Sequence, residues 1–152
     1  MPMPPLEQQQ VMESGPGQIL EAIREPYGLR PDARAAPLGN GHINQTFLVT
    51  DGGRHLVAQR INTVVFKHPE DLVHNACAIE AHLEKKGDWL RVVRHLPGSD
   101  GGFLHGAGRN VRVLEYFPGS RSIEVLETTA QARLAASSFA RFSRLLSDFD
   151  HS

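Results

Sequence analysis

The chain has 152 residues, 40% of them apolar and 22% charged, with a formal net charge of -1. That balance suits one soluble domain with its own core and excludes a nucleic-acid or anionic-membrane surface built on overall charge. The single cysteine, Cys77, excludes an internal disulfide, and no apolar run nears the roughly 18 residues of a membrane span, so a cytoplasmic protein is expected.

Residues 1–17 hold several prolines, the Gln8-Gln9-Gln10 run and the breaker Ser14-Gly15-Pro16-Gly17, which reads as a mobile leader without a signal peptide's apolar core. From Gln18 to Arg24, Ile19, Leu20 and Ile23 share one helical face, and Pro26 ends the helix. Tyr27 to Pro37 is a connector. Leu38 to Asn62 reads as three short antiparallel strands with a glycine-rich first turn, and Asp51-Gly52-Gly53 marks a hairpin between the second and third. In the strand His55 to Ile61, alternation puts Leu56, Ala58 and Arg60 on one face and Val57, Gln59 and Ile61 on the other. A Gly-x-Gly turn lets backbone N–H groups approach an anion, and the cation Arg60 on the third strand suits phosphate charge. Together these suggest half of a nucleotide cleft, with a flat ring beside Ala58.

Glu70 to Lys86 reads as a helix with Leu72, Ala76, Ile79 and Leu83 as its buried stripe and Gly87 as its stop. Trp89 to Leu96 is an extended segment. Asn110 to Phe117 is a strand with Val111 and Val113 on one face and Leu114 on the other, ended by Pro118-Gly119. Thr128 or Thr129 caps a last helix to about Phe149, with the stripe Ala135, Phe139, Phe142, Leu145 and Phe149, and with Asp148 and Asp150 as fraying terminal acids. The eight histidines lack paired metal-ligand spacing, so no metal site is expected, and Cys77 reads as a small core residue.

Local matches make this order a resemblance. Gly39-Asn40-Gly41-His42-Ile43-Asn44 resembles the G-x-G-x-x-G loop of protein kinases with Asn for the last glycine, and Val57-Ala58-Gln59-Arg60 resembles V-A-I-K with Arg for Lys. Glu80 lies on the following helix, and Glu115-Tyr116-Phe117 sits where the strand would run into an interlobe hinge. G-x-G-x-I-N, then Q-R-I-N followed by V-F and K-x-P, then F-x-G-S-R-S look like the aminoglycoside phosphotransferase superfamily, nearest its N-acetylhexosamine kinase branch. The resemblance covers roughly residues 37–149. It implies an α+β, protein-kinase-like small lobe over residues 18–117, an antiparallel sheet of about five strands plus a helix. Residues 118–152 would be the hinge and the first helix of a truncated large lobe.

It also implies that the backbone of Gly39, Asn40, Gly41, His42, Ile43 and Asn44 covers the ATP phosphates, with Arg60 beneath and Glu80 orienting Arg60. Ala58 would flank the adenine, and the backbone of Glu115, Tyr116 and Phe117 would meet its edge. The parent activity would be transfer of the ATP γ-phosphate to a sugar or amino-sugar hydroxyl, with Mg²⁺ as the companion ion. The family's H-x-D-x-x-x-x-N motif does not occur in these 152 residues, and the only downstream acidic cluster, Asp148-Phe149-Asp150-His151 at the very end, matches neither that motif nor the family's D-x-D in context. The chain is therefore expected to be an N-terminal fragment, inactive alone, without catalytic or metal-binding residues, and able to associate through its last helix. The competing expectation is a non-catalytic α+β module whose groove serves a peptide or another subunit. A flush polar last helix would favour that module.

Overall fold

The computed structural model describes residues 15–150. Its first helix, α1 (Pro16–Arg24), starts earlier than the hydrophobic pattern suggests. Pro16 occupies a first-turn position, where its missing N–H costs nothing. Most of the expected leader lies outside the described residues, and its last two members, Pro16 and Gly17, are helical.

Four strands follow: β1 (Arg34–Pro37), β2 (Gln45–Asp51), β3 (Arg54–Arg60) and β4 (Val111–Glu115), forming one open antiparallel sheet in the order β1-β2-β3-β4. The sheet thus has four strands where about five were expected. The missing one is the Trp89–Leu96 segment. Only a single bridge, His95 opposite Leu114, joins it to β4, with two hydrogen bonds from Leu96 N to Val113 O and from Glu115 N to Arg94 O. Pro97 follows at once and has no N–H to extend the ladder. The first strand is Arg34–Pro37, within the stretch read as a connector, while residues 38–44 form a loop.

Residue alternation divides the sheet into two unlike faces. Phe47 and Val49 of β2, Leu56 and Ala58 of β3, and Val111 and Val113 of β4 are all buried on one face, under Ile19 and Ile23 of α1. Leu29 and Ala33 complete that core. The 3.6-residue period of α1 meets the two-residue period of the strands there, and this layer holds the domain together. Asp51 closes its far edge. Desolvation raises its pKa, but the Arg30 amide at 3.1 Å and the Arg54 guanidinium at 2.8 Å outweigh that, and the carboxyl stays below the usual range.

On the opposite face, the alternate residues Leu48, Val57, Gln59, Arg112 and Leu114 are only half-buried. Helix α2 (Pro69–Lys86) lies on this side, anchored by a small cluster of Val73, Ile61 and Leu104, with Phe66, Leu72, Cys77 and Phe103 around it. Gly87 ends α2 in the left-handed region at φ 62°, where a side chain would be strained, and its N–H returns to Glu84 O.

The last helix, α3 (Thr129–Leu145), is capped by Thr128 in a reciprocal capping box with Gln131. No residue of α3 is buried. It is held at its C-terminal end by Arg141 on Asp88, by Lys86 on Asp148 and by His82 Nε2, which donates to Leu145 O at 3.0 Å and lies 3.3 Å from an Asp148 carboxylate oxygen. Asp148 is therefore an anchored partner rather than a fraying terminal acid. Leu134 and Phe139 remain 65% and 73% exposed.

Candidate functional site

The loop between β1 and β2 sits at one end of the sheet. Leu38 N donates to Thr46 O at 2.8 Å and closes the loop, while Gly39 adopts φ 74°. A Cβ on Gly41 would lie 2.7 Å from the Asn44 carbonyl oxygen, so this tight turn requires glycine. Asn44 Oδ1 accepts from Asn62 N at 2.9 Å, tying the loop to the chain just beyond β3. Gly39, Asn40, Gly41, His42, Ile43 and Asn44 are thereby placed beside the end of β3, where Gln45 pairs with Arg60. Asn40, His42 and Ile43 are exposed.

The other expected site residues are divided between the two faces. Ala58 is 0% exposed in the core beneath α1, so no adenine ring can lie against it as the helix stands. Arg60 follows Ala58 by two residues and so belongs to the same side, lining a cavity with Gln18, Glu21 and Ala22 of α1. Glu80 lies on the opposite face. Its carboxylate is engaged with His95, not with Arg60, because α2 packs on the side to which Gln59 and Arg112 project. Glu115, Tyr116 and Phe117 mark the opposite end of the sheet, since Glu115 pairs with Leu56 while Val111 pairs with Arg60. Four residues at roughly 3.3 Å each separate the two ends by about 13 Å. The Glu115 amide is already bound to Arg94 O, Tyr116 lies beside the His55 ring, and Phe117 carries the Arg91 guanidinium 4.9 Å above its ring centre.

Between these ends, the half-buried face carries a continuous polar relay. Gln59 Nε2 donates to Thr46 Oγ1 at 3.0 Å, and Gln59 Oε1 accepts from Arg112 Nε and Nη2 at 3.0 and 2.7 Å. Arg112 Nη1 then meets His95 Nε2 at 2.9 Å, and His95 Nδ1 meets Glu80 Oε1 at 2.6 Å. A guanidinium can only donate, so Nε2 accepts and the ring proton sits on Nδ1, facing Glu80. Burial lowers the Arg112 pKa and the Glu80 charge opposes that, so the arginine stays protonated. This is a carboxylate on a helix answered by a cation on the sheet, with histidine between them.

Cys77 completes a trio whose ligand atoms, with those of Glu80 and His95, lie within 4.8 Å of one another. A metal on Nδ1 would move the ring proton to Nε2, directly against the Arg112 donors. Burial and the nearby Glu80 also push the Cys77 thiol up, away from the thiolate a metal needs. The group therefore suits proton holding and positioning better than metal binding.

No protein-family model matches the chain. The relay residues His95 and Arg112 escape sequence reading because they meet Glu80 and Gln59 only through tertiary packing. The one signal available was the polar pair Gln59 and Arg112, set on the same faces of their strands as the apolar Val57 and Leu114. Among the described residues, no helix is long and apolar enough to cross a membrane.

Proposed function

We propose that this chain is the nucleotide-binding part of an ATP-dependent phosphotransferase whose acceptor is a hydroxyl of a sugar or amino sugar. In this reading the nucleotide lies along the half-buried face of the sheet. Its phosphates meet the backbone of residues 39–44, and its base lies towards Glu115, Tyr116 and Phe117. The observation that carries the reading is the Glu80–His95–Arg112–Gln59 relay on that face, midway between the glycine loop and the 115–117 segment. It supplies the helix carboxylate and sheet cation that the motif resemblance implies, with Arg112 of β4 taking the place expected of Arg60.

The division of labour follows from this geometry. Backbone N–H groups of a glycine turn offer donors to phosphate oxygens without a side chain in the way. Arg112 still has N–H groups beyond those bound to Gln59 and His95, and it can place positive charge near the polyphosphate. Glu80 and His95 hold that guanidinium in one orientation. The loop carries no carboxylate, so Mg²⁺ would arrive with the nucleotide rather than be held by these residues. An acceptor hydroxyl needs a general base, and the H-x-D-x-x-x-x-N motif that would supply it is absent from the 152 residues. The competing non-catalytic module calls for a flush polar last helix. The exposed Leu134 and Phe139 of α3 weigh against it and favour a helix that seats on further protein.

Thermal unfolding with and without Mg-ATP tests the reading. Mg-ATP is expected to raise the Tm of the chain, and Arg112→Gln to abolish the shift while Arg60→Gln retains it. Absence of any shift, or an equal shift in Arg112→Gln, would remove the basis for the proposal. Coupled ADP release with a panel of sugars is expected to detect no sustained turnover by the chain alone.

A further inference from the structure

The Arg60 side of the sheet end holds a second arrangement suited to an anion, and it lies apart from the relay face. A cavity of about 830 Å³ opens there between α1 and the turn that precedes β4. That volume falls within the range of small-molecule pockets, roughly 300–1,000 Å³. His105 and Val111 pair across the turn through hydrogen bonds of 2.8 and 3.1 Å, and Arg109 N returns to Gly106 O at 3.0 Å. Gly106 has φ 83°, and a Cβ there would stand 3.2 Å from Ala22 Cβ, so glycine lets the turn press against α1. Asn110 then staples the turn to β3: its side chain donates to Ile61 O at 3.0 Å, and its carbonyl accepts from Ile61 N at 2.8 Å. Arg60 is thereby fixed beside residues 106–108.

Two features of this cavity call for a ligand. Arg60 is partly buried, yet its guanidinium has no hydrogen-bond or ion-pair partner among the described residues, although Glu21 lines the same cavity. The amides of Gly106, Ala107 and Gly108 likewise donate to no backbone acceptor there. A half-buried cation beside a turn whose amides have no backbone acceptor forms a setting in which an oxyanion gains charge-assisted hydrogen bonds. Around them, Gln18, Glu21 and Thr63 offer neutral and acidic acceptors of the kind that bind hydroxyl groups.

We propose that this cavity binds the phosphate group of a small phosphorylated, hydroxyl-bearing molecule, with Arg60 as its cation and the residue 106–108 turn as its amide cradle. The site is separate from the nucleotide face, because Arg60 and Arg112 project to opposite sides of the sheet.

Amide NMR titrations of the whole chain with inorganic phosphate, glucose 6-phosphate and unphosphorylated glucose test this. Both phosphates are expected to shift the amides of Gly106, Ala107 and Gly108, and glucose to leave them in place. Tighter binding of glucose 6-phosphate would assign the site to a phosphomonoester, and equal binding to free phosphate; either supports phosphate recognition. Arg60→Gln is expected to weaken binding about tenfold or more, and Arg60→Lys to retain part of it. Glu21→Gln, an exposed change that leaves the core intact, is expected to tighten inorganic phosphate severalfold by removing a like charge. No shift at residues 106–108 with either phosphate, unchanged binding in Arg60→Gln or in Glu21→Gln, or displacement of the phosphates by Mg-ATP, would overturn a separate site.

Discussion

The two faces of this sheet are built from neighbouring residues of the same strands and behave as different materials. Beneath α1, Phe47, Val49, Leu56, Ala58, Val111 and Val113 make a dry, close-packed layer. One residue along each strand, Thr46, Gln59 and Arg112 share hydrogen bonds that pass through His95 to Glu80. The first face stabilises by removing apolar area from water, and the second by satisfying polar groups that face a partly open surface. A two-residue period thus packs apolar side chains on one side and gathers hydrogen-bonded polar groups on the other.

The largest contrast is expected in core truncation. Ile23→Ala on the buried side of α1 should cost about 3 kcal/mol in urea unfolding, because Ile23 is fully buried and the layer cannot collapse around a hole. Val57→Ala on the half-buried face should cost well under half as much. Equal costs would mean that the second face is covered in solution. Next comes Gly106→Ala, expected to cost about 2 kcal/mol through its positive φ and its approach to Ala22. The same exchange at exposed Gly53, with an ordinary φ and open space around it, should be nearly neutral.

Smaller effects test the polar groups. His105 lies between Tyr27 and the loop at residues 98–102; the Tyr27 hydroxyl donates to Leu96 O at 2.6 Å, so His105 Nε2 donates to that hydroxyl at 3.0 Å. Burial lowers the His105 pKa below its ordinary 6.5, against opposing contributions from Asp100 and Gly102. The unfolded chain therefore takes up this proton first. Its contribution is complete above about pH 6.5 and declines as pH falls towards the lowered folded value. Urea midpoints at pH 7 and at about pH 5.5 should differ less in His105→Gln than in the unsubstituted chain. Last, Thr128→Ala should cost about 1 kcal/mol of α3 stability by removing the cap of Gln131 N, read as lower helicity with the sheet intact.

Local signals foretold what local physics decides. The β2–β3 hairpin follows from alternation around Asp51-Gly52-Gly53, the end of α2 from Gly87, and the start of α3 from Thr128. Strand β1 escaped because Arg34-Ala35-Ala36-Pro37 has no strand-forming side chains and forms only through pairing with β2. The expected fifth strand shrank to one bridge because its pairing is long-range and Pro97 cuts it short. At the site, the glycine loop and the shared face of Ala58 and Arg60 were readable from spacing. Which face α1 would cover was not, since it depends on where a helix far from β3 in sequence comes to rest. That choice buried Ala58, set Arg60 apart from Glu80 and left Arg112 as the cation linked to Glu80 through His95.

The relay face is proposed to receive the nucleotide. Amide chemical-shift mapping with Mg-ATP tests it most directly. Changes are expected at residues 39–44, at Gln59 and Arg112 and at Tyr116 and Phe117, with the α1 core unmoved. No perturbation, or perturbation confined to Gln18, Glu21 and residues 106–108, would contradict it.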